Sequence, residues 1–263
     1  MDTNPSDKAI GWAPLSHIHL SRHDIDSRQL ALLQPVVYYK DNVYSRIHSH
    51  SKDHDVGSGS HVHVSLSNNG ENVFIASGEP NRYGMSLIGE SFMAGVLDHL
   101  RSICVFTMPI SNSYERLMSK SRNSSFICWG VECKELPVRA CCPPGDANGV
   151  VTNFEIKTFD GSANPHLGLA SIIIAGIHGL RRNLSIPEPV EPESYVFDWN
   201  NDDIRVPGSL RCAIIHMDSD KWFNEMLGQE FLYTRRGVVG VRLLLFNEFQ
   251  FIHIRTDYCQ TLM

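Results

Sequence analysis

The stretch Gly57-Ser58-Gly59-Ser60-His61-Val62-His63-Val64-Ser65-Leu66 leads a glycine-rich turn into an alternating segment with two imidazoles two residues apart. On a strand, side chains at i and i+2 share a face, so His61 and His63 point the same way and one of them can ligate a metal. An ordinary explanation competes with that one: 13 histidines in 263 residues make the spacing common, and His17-Ile18-His19 and His48-Ser49-His50 repeat it. Asn153-Phe154-Glu155-Ile156-Lys157 poses a similar choice. Alternation places Asn153, Glu155 and Lys157 on one face, where a carboxylate between an amide and a cation suits a metal or an anion. The same arrangement suits a half-solvated strand with a weak ion pair. Arg116, Lys134 and Arg139 either cradle phosphate or carboxylate oxygens or lie on a solvated face.

Other chemistries find no support. A Gly-x-x-x-x-Gly-Lys-Ser/Thr phosphate loop and a Gly-x-Ser-x-Gly nucleophile elbow are both missing from the sequence. Seven cysteines form no Cys-x-x-Cys pair and no even scaffold, so they read as free, mostly buried thiols in a reducing, cytoplasmic setting.

The elements that must position these residues can be read from periodicity. Gly59 to Leu66 alternates like a strand and runs into the turn signal Asn68-Asn69-Gly70, which predicts a hairpin. Trp129 to Cys141 and Val150 to Thr158 flank a Pro- and Gly-rich breaker, which predicts a second, antiparallel pair. Met85, Ile88, Phe92, Val96, Leu100 and Ile103 recur at helical spacing, predicting one helix over Met85 to Cys104. Asn164-Pro165 opens a second, largely buried helix, with Asn164 as cap and Pro165 at the first helical position. Leu210 to Leu232 is helical again, with a break at Asp218-Ser219-Asp220.

Residues 1–55 are polar and rich in His and Ser, with one apolar stretch, Leu30 to Tyr39, broken by Pro35; they read as an atypical, partly disordered segment. The 56–236 region carries the ordered patterns, and 237–263 is an atypical tail. The chain is 42% hydrophobic with 23 basic and 29 acidic residues, and no basic stripe or long uncharged apolar run interrupts it. Nucleic acid and membrane are therefore not expected as partners.

Taken in order, Gly57 to Leu66, Asn112-Ser113-Tyr114-Glu115-Arg116-Leu117, Trp129-Gly130-Val131-Glu132 with Arg139, and Asn153 through Asp160 to Asn164-Pro165 resemble the catalytic domain of type I glutamine synthetase. The likeness is greatest to the branch at the C-terminal end of fungal FluG-type proteins. The resemblance implies an α+β fold in which flanking helices back an antiparallel β-sheet, here as an incomplete form of that domain. It also implies a ligase of nitrogen metabolism that uses ATP to phosphorylate glutamate and then joins ammonia or another amine to it. Mg²⁺ or Mn²⁺ would be the cofactor and ATP a substrate. Members of that family assemble as homo-oligomers.

By motif matching, the resemblance assigns His61 and Glu155 to the metal, and Gly57, Arg116 and Lys157 to the amino acid. It assigns Ser65 and Lys134 to the nucleotide, and Arg116 and Arg139 to catalysis. Several positions depart from the family pattern: Val56 replaces a common Asn, and Lys134 and Lys157 stand where Arg is frequent. The paired carboxylates expected upstream of the His-containing strand have no match in the first 55 residues. Three readings follow: an active ligase, an inactive relative kept for binding or assembly, and a fragment of a longer enzyme.

Overall fold

A computed structural model describes residues 60–76, 83–114, 125–143, 145, 149–191 and 204–240, together with the backbone of 33–39. Gly57, Arg116 and most of 1–55 and 237–263 lie outside the described residues. The strands are β1 (Leu33–Tyr39), β2 (Val62–Asn68), β3 (Glu71–Asn72), β4 (Trp129–Val131), β5 (Val138–Cys141) and β6 (Asn153–Ile156). They form one sheet in the order β1-β2-β6-β5-β4, with β3 paired to β2. The helices are α1 (Leu87–Asp98), α2 (Leu100–Thr107), α3 (Pro165–Arg182), α4 (Leu210–Ser219) and α5 (Lys221–Leu227). Residues 229–240 are also helical. The fold is α+β, as expected.

Particular residues explain each element. Asn69 and Gly70 take positive φ values of 52° and 85°, the left-handed conformation that a two-residue hairpin turn requires, and they join β2 to β3. The apolar stretch broken by Pro35 supplies β1, which lies at the sheet edge, where a residue without an N–H is tolerated. Asn164 Oδ1 accepts from the backbone N–H groups of His166 and Leu167, and Pro165 opens α3. At its other end Asn183 adopts φ 46° and ψ 48°, a left-handed stop.

Two expectations need correction. The sheet is mixed, because Trp129 to Cys141 makes two strands, β4 and β5, that pair in parallel while β5 and β6 pair antiparallel. The chain leaves β4 at Glu132, whose φ of 51° turns it, and Glu132 N–H reaches back to the Ala140 carbonyl. The helix predicted over Met85 to Cys104 is likewise two helices, α1 and α2, divided at His99. The apolar stripe continues through the break, so periodicity alone cannot see it; His99 is held instead by side chains from distant elements. The predicted break at Asp218 to Asp220 is present, with Asp220 capping α5 by accepting from Phe223 N–H.

The core lies between one sheet face and the helices. Val62, Val64 and Leu66 of β2, Val138 and Ala140 of β5, and Phe154 and Ile156 of β6 are buried with Phe92, Met93 and Val96 of α1 and Leu169 and Ile172 of α3. Phe74 joins the layers, with its ring centroid 5.8 Å from Phe154 and 5.9 Å from Phe92. Helices α1 and α3 approach so closely that a Cβ on Gly179 would stand 1.9 Å from the Ser91 carbonyl oxygen. One on Gly95 would stand 2.2 Å from that of Ala175. Both obstacles are backbone atoms and cannot swing aside.

We predict that Gly95→Ala or Gly179→Ala destabilises the fold by about 2–3 kcal/mol, the upper part of the usual range for overpacking. Thermal unfolding followed by circular dichroism would show a midpoint roughly 5–10 °C lower. A higher midpoint, as helix propensity alone would give, would refute the close contact.

Candidate functional site

The other sheet face carries the polar residues. Register places His63 opposite Glu155 and Glu155 opposite Arg139, giving one polar row across β2, β6 and β5. Residues directly opposite on neighbouring strands have Cβ atoms about 4.5–5.5 Å apart, so this pairing alone brings the three side chains together. His61, just before β2, extends the group along the same face: its Nδ1 lies 2.9 Å from Glu155 Oε1. His63 Nε2 is 3.9 Å from the same oxygen, and His63 Nδ1 is 2.8 Å from Asn153 Oδ1. Arg139 Nε pairs with Glu155 Oε2 at 2.9 Å.

This environment fixes the charge of Glu155, which is only 7% exposed. Burial alone would raise its pKa. The hydrogen bond from His61 and the positive charges of Arg139, His61 and Lys157 more than offset that effect and hold the carboxyl at about 2. Burial pushes the Lys157 ammonium the other way, below its usual range, and the Glu155 charge partly opposes this. The Lys157 ammonium donates to the Lys134 carbonyl, which fastens the residue after β6 to the β4–β5 connection.

The candidate residues therefore divide into groups. His61, Glu155 and Arg139 meet directly. Lys157, two residues beyond Glu155, acts on it through charge and donates to the Lys134 carbonyl, whereas Lys134 itself is an exposed residue. Ser65 is buried in β2, two residues beyond His63 and four beyond His61. Gly57 and Arg116 lie outside the described residues. Sequence reasoning placed His63 and Asn153 on polar faces but did not join them. It also left out Cys141, which is buried with its sulfur 4.0 Å from His63 Nδ1. Strand register supplies both links, and no spacing within either segment encodes it.

Glu155 Oε2 is buried and makes no hydrogen bond, because the Arg139 contact is an ion pair without hydrogen-bond alignment. In the tautomer that donates through Nδ1, the His61 lone pair is on Nε2, on the far side of the ring from Glu155. An ionised carboxylate and an imidazole are donor types that Mg²⁺ or Mn²⁺ accepts, and both meet one ion once the His61 ring turns a lone pair toward Glu155, with water completing the shell. Among the described residues, no third His, Cys, Asp or Glu closes a ligand group with them.

The low pKa has a measurable consequence. A carboxyl held at about 2 when folded and near 4.3 when unfolded contributes stability that is complete above about pH 5 and lost as pH falls through 2. The full contribution is about 3 kcal/mol, and about half is gone by pH 3. We predict that the stability gap between the native chain and Glu155→Gln, measured by urea unfolding with chelator present, narrows over that window. A gap constant from pH 6 to pH 3 would contradict the ionised, charge-paired state.

Residues 39–235 match the family model described as glutamine synthetase, catalytic domain. The chain is 34% identical over 178 residues to the glutamine synthetase of Halobacterium salinarum, covering 66% of this chain and 38% of that one. It is 37% identical over 192 residues to the gamma-glutamylpolyamine synthetase GlnA3 of Streptomyces coelicolor, covering 72% and 40%. The chain thus spans about two fifths of the length of these relatives. Among solved structures it superposes on GmaS without ligand with a TM-score of 0.61 at 23% identity, over 73% of this chain and 42% of that one. For a novel glutamine synthase homologue the TM-score is 0.59 at 27% identity, over 72% and 42%. A strand-borne His–Glu–Arg cluster within a region that matches this model over most of the chain leads to one conclusion: the chain belongs to the glutamine synthetase catalytic-domain family.

Proposed function

We propose that this chain carries the ATP-dependent ligase chemistry of its family. In that reaction ATP transfers its γ-phosphoryl group to the side-chain carboxylate of glutamate. Ammonia or another amine then attacks the acyl carbon and displaces phosphate, leaving a γ-glutamyl amide. The observation that carries the reading is the cluster of His61, Glu155 and Arg139, drawn from three places in the sequence by strand register. His61 and Glu155 would hold Mg²⁺ or Mn²⁺. When bound, the cation supplies positive charge against the oxygens of the transferring phosphoryl group.

The chain's own residues have distinct parts. Arg139 offers a fixed guanidinium beside the anionic site, suited to the oxygens of a phosphoryl or carboxylate group. Lys157, with Gly57 and Arg116, would position glutamate, and Ser65 and Lys134 would meet the nucleotide. Arg116 and Arg139 are the proposed catalytic residues. An amine larger than ammonia is supported by the name of the GlnA3 relative. Family assemblies are oligomeric, and we propose a homo-oligomer in the cytoplasm. The six described cysteines are all free, which suits a reducing compartment. No helix among the described residues is long and apolar enough to cross a membrane.

One observation favours a second reading, a family member that binds without turnover: among the described residues, His61 and Glu155 gain no third ligand. Formation of γ-glutamyl hydroxamate from glutamate, hydroxylamine, ATP and Mg²⁺ or Mn²⁺ separates the two. The ligase reading predicts turnover that His61→Ala and Glu155→Ala abolish and that Arg139→Ala lowers by about 10²-fold in kcat. ATP binding by a folded chain with no hydroxamate formed would establish the binding reading instead.

A further inference from the structure

The break between α1 and α2 gathers a second polar cluster from residues that the sheet site does not use. Asp98 ends α1, His99 forms the junction, His178 comes from α3, and Asp220 caps α5. His99 is 6% exposed, yet both ring nitrogens have partners: Nδ1 lies 2.6 Å from Asp220 Oδ2, and Nε2 lies 2.7 Å from His178 Nδ1. Asp98 Oδ2 stands 3.8 Å from His99 Nε2. Ligand atoms of Asp98, His99 and His178 all lie within 4.8 Å of one another, and this is the one such group of three among the described residues.

We propose that Asp98, His99 and His178 form a binding site for a divalent transition-metal ion of the zinc type. The orientation of His99 is the first support. Asp220 Oδ2 also accepts a hydrogen bond from Ser102 Oγ at 2.7 Å, so this carboxylate is anchored and accepts a hydrogen bond from His99 Nδ1–H. With that proton on Nδ1, the His99 lone pair is on Nε2, which faces His178 Nδ1 and Asp98. A carboxylate that fixes the outer nitrogen of an imidazole is the usual backing of a metal-bound histidine.

Donor type and access agree. Two imidazoles and one carboxylate suit Zn²⁺, Co²⁺, Ni²⁺ or Cu²⁺ over Mg²⁺ or Ca²⁺, and three protein ligands leave one tetrahedral position for water. The Asp98 side chain is 60% exposed and opens the cluster to solvent on that side. Asp98 and Asp220 together bring two negative charges, which match a doubly charged ion. On binding, His178 moves its ring proton from Nδ1 to Nε2, and the two imidazoles separate by less than about 1 Å to admit bonds of about 2.0–2.1 Å. The His178 ring stacks on Trp222, with centroids 4.5 Å apart and planes at 24°. That indole is therefore a built-in reporter.

The site is independent of the ligase reading, and its test uses the whole 263-residue chain without a tag, carrying His61→Ala to remove the proposed sheet site. Calorimetric titration with Zn²⁺ is expected to show one equivalent bound, with a change in Trp222 emission that Trp222→Phe removes. Asp98→Asn, at an exposed position, and His178→Gln are each expected to weaken Zn²⁺ binding at least about tenfold. Unchanged affinity in a folded Asp98→Asn chain, or no Zn²⁺ bound by the parent, would overturn the proposal and leave the cluster a hydrogen-bonded helix joint.

Discussion

The polar face of this sheet is organised around one buried carboxylate. Removing an ionised group from water costs several kcal/mol, and Glu155 stays charged because His61 and Arg139 approach it from two sides at 2.9 Å each. Those partners come from separate segments, so the compensation exists only when β2, β6 and β5 pair in one register. A slip of one residue in β6 would turn Phe154 and Ile156 onto the polar face and drive Glu155 into the aromatic layer. Site geometry and strand register are thus a single constraint. Losing either partner would leave the buried charge only partly compensated, at a cost to stability.

Phe154 shows how the same strand serves both faces. Its neighbour Glu155 lies in the polar row, while its own ring packs against Phe74 and Trp129, with centroids 5.8 Å and 6.1 Å away. Phe74 in turn meets Phe92 of α1, and Gly176 of α3 lies against Phe92 with no room for a Cβ. A continuous run of packed aromatic and small residues therefore reaches from the sheet floor to the close contact between α1 and α3. At native packing density such a run transmits displacement rather than absorbing it. The floor of the site is thus positioned in part by the fit of two helices on the opposite face of the sheet.

Local pattern accounts for what was legible in the sequence. The alternation at His61 to Leu66 and Asn153 to Lys157, the Asn164-Pro165 helix start and the Asp218 to Asp220 break each depend on residues within a few positions of one another, and each appears in the structure. Residues such as Arg139 and Glu155, 16 positions apart, were assigned to one site through family motifs, since spacing within either segment cannot fix β5–β6 register. The parallel pairing of β4 with β5 depends on the backbone conformation of Glu132, which is rare for a residue with a side chain and carries no sequence signal. The helix break at His99 was hidden for a related reason. Its cause lies at positions 178 and 220, and the apolar stripe of the two helices runs on unchanged.

The sheet site and the helix junction solve the same problem by different means. At the sheet, cross-strand register aligns opposite charges, and Glu155 Oε2 retains a buried position with no hydrogen bond. At the junction, a helix cap does the aligning: Asp220 binds the Phe223 N–H through one oxygen and, through the other, His99 and Ser102. Its charge is partly satisfied by a helix N-terminus, which favours the anion, so the His99 ring is oriented without a full ion pair. This difference matters for chemistry. The Glu155 oxygen outside any hydrogen bond can still accept a donor, whereas the Asp220 carboxylate, fully used by its own helix and neighbours, serves to orient the His99 imidazole.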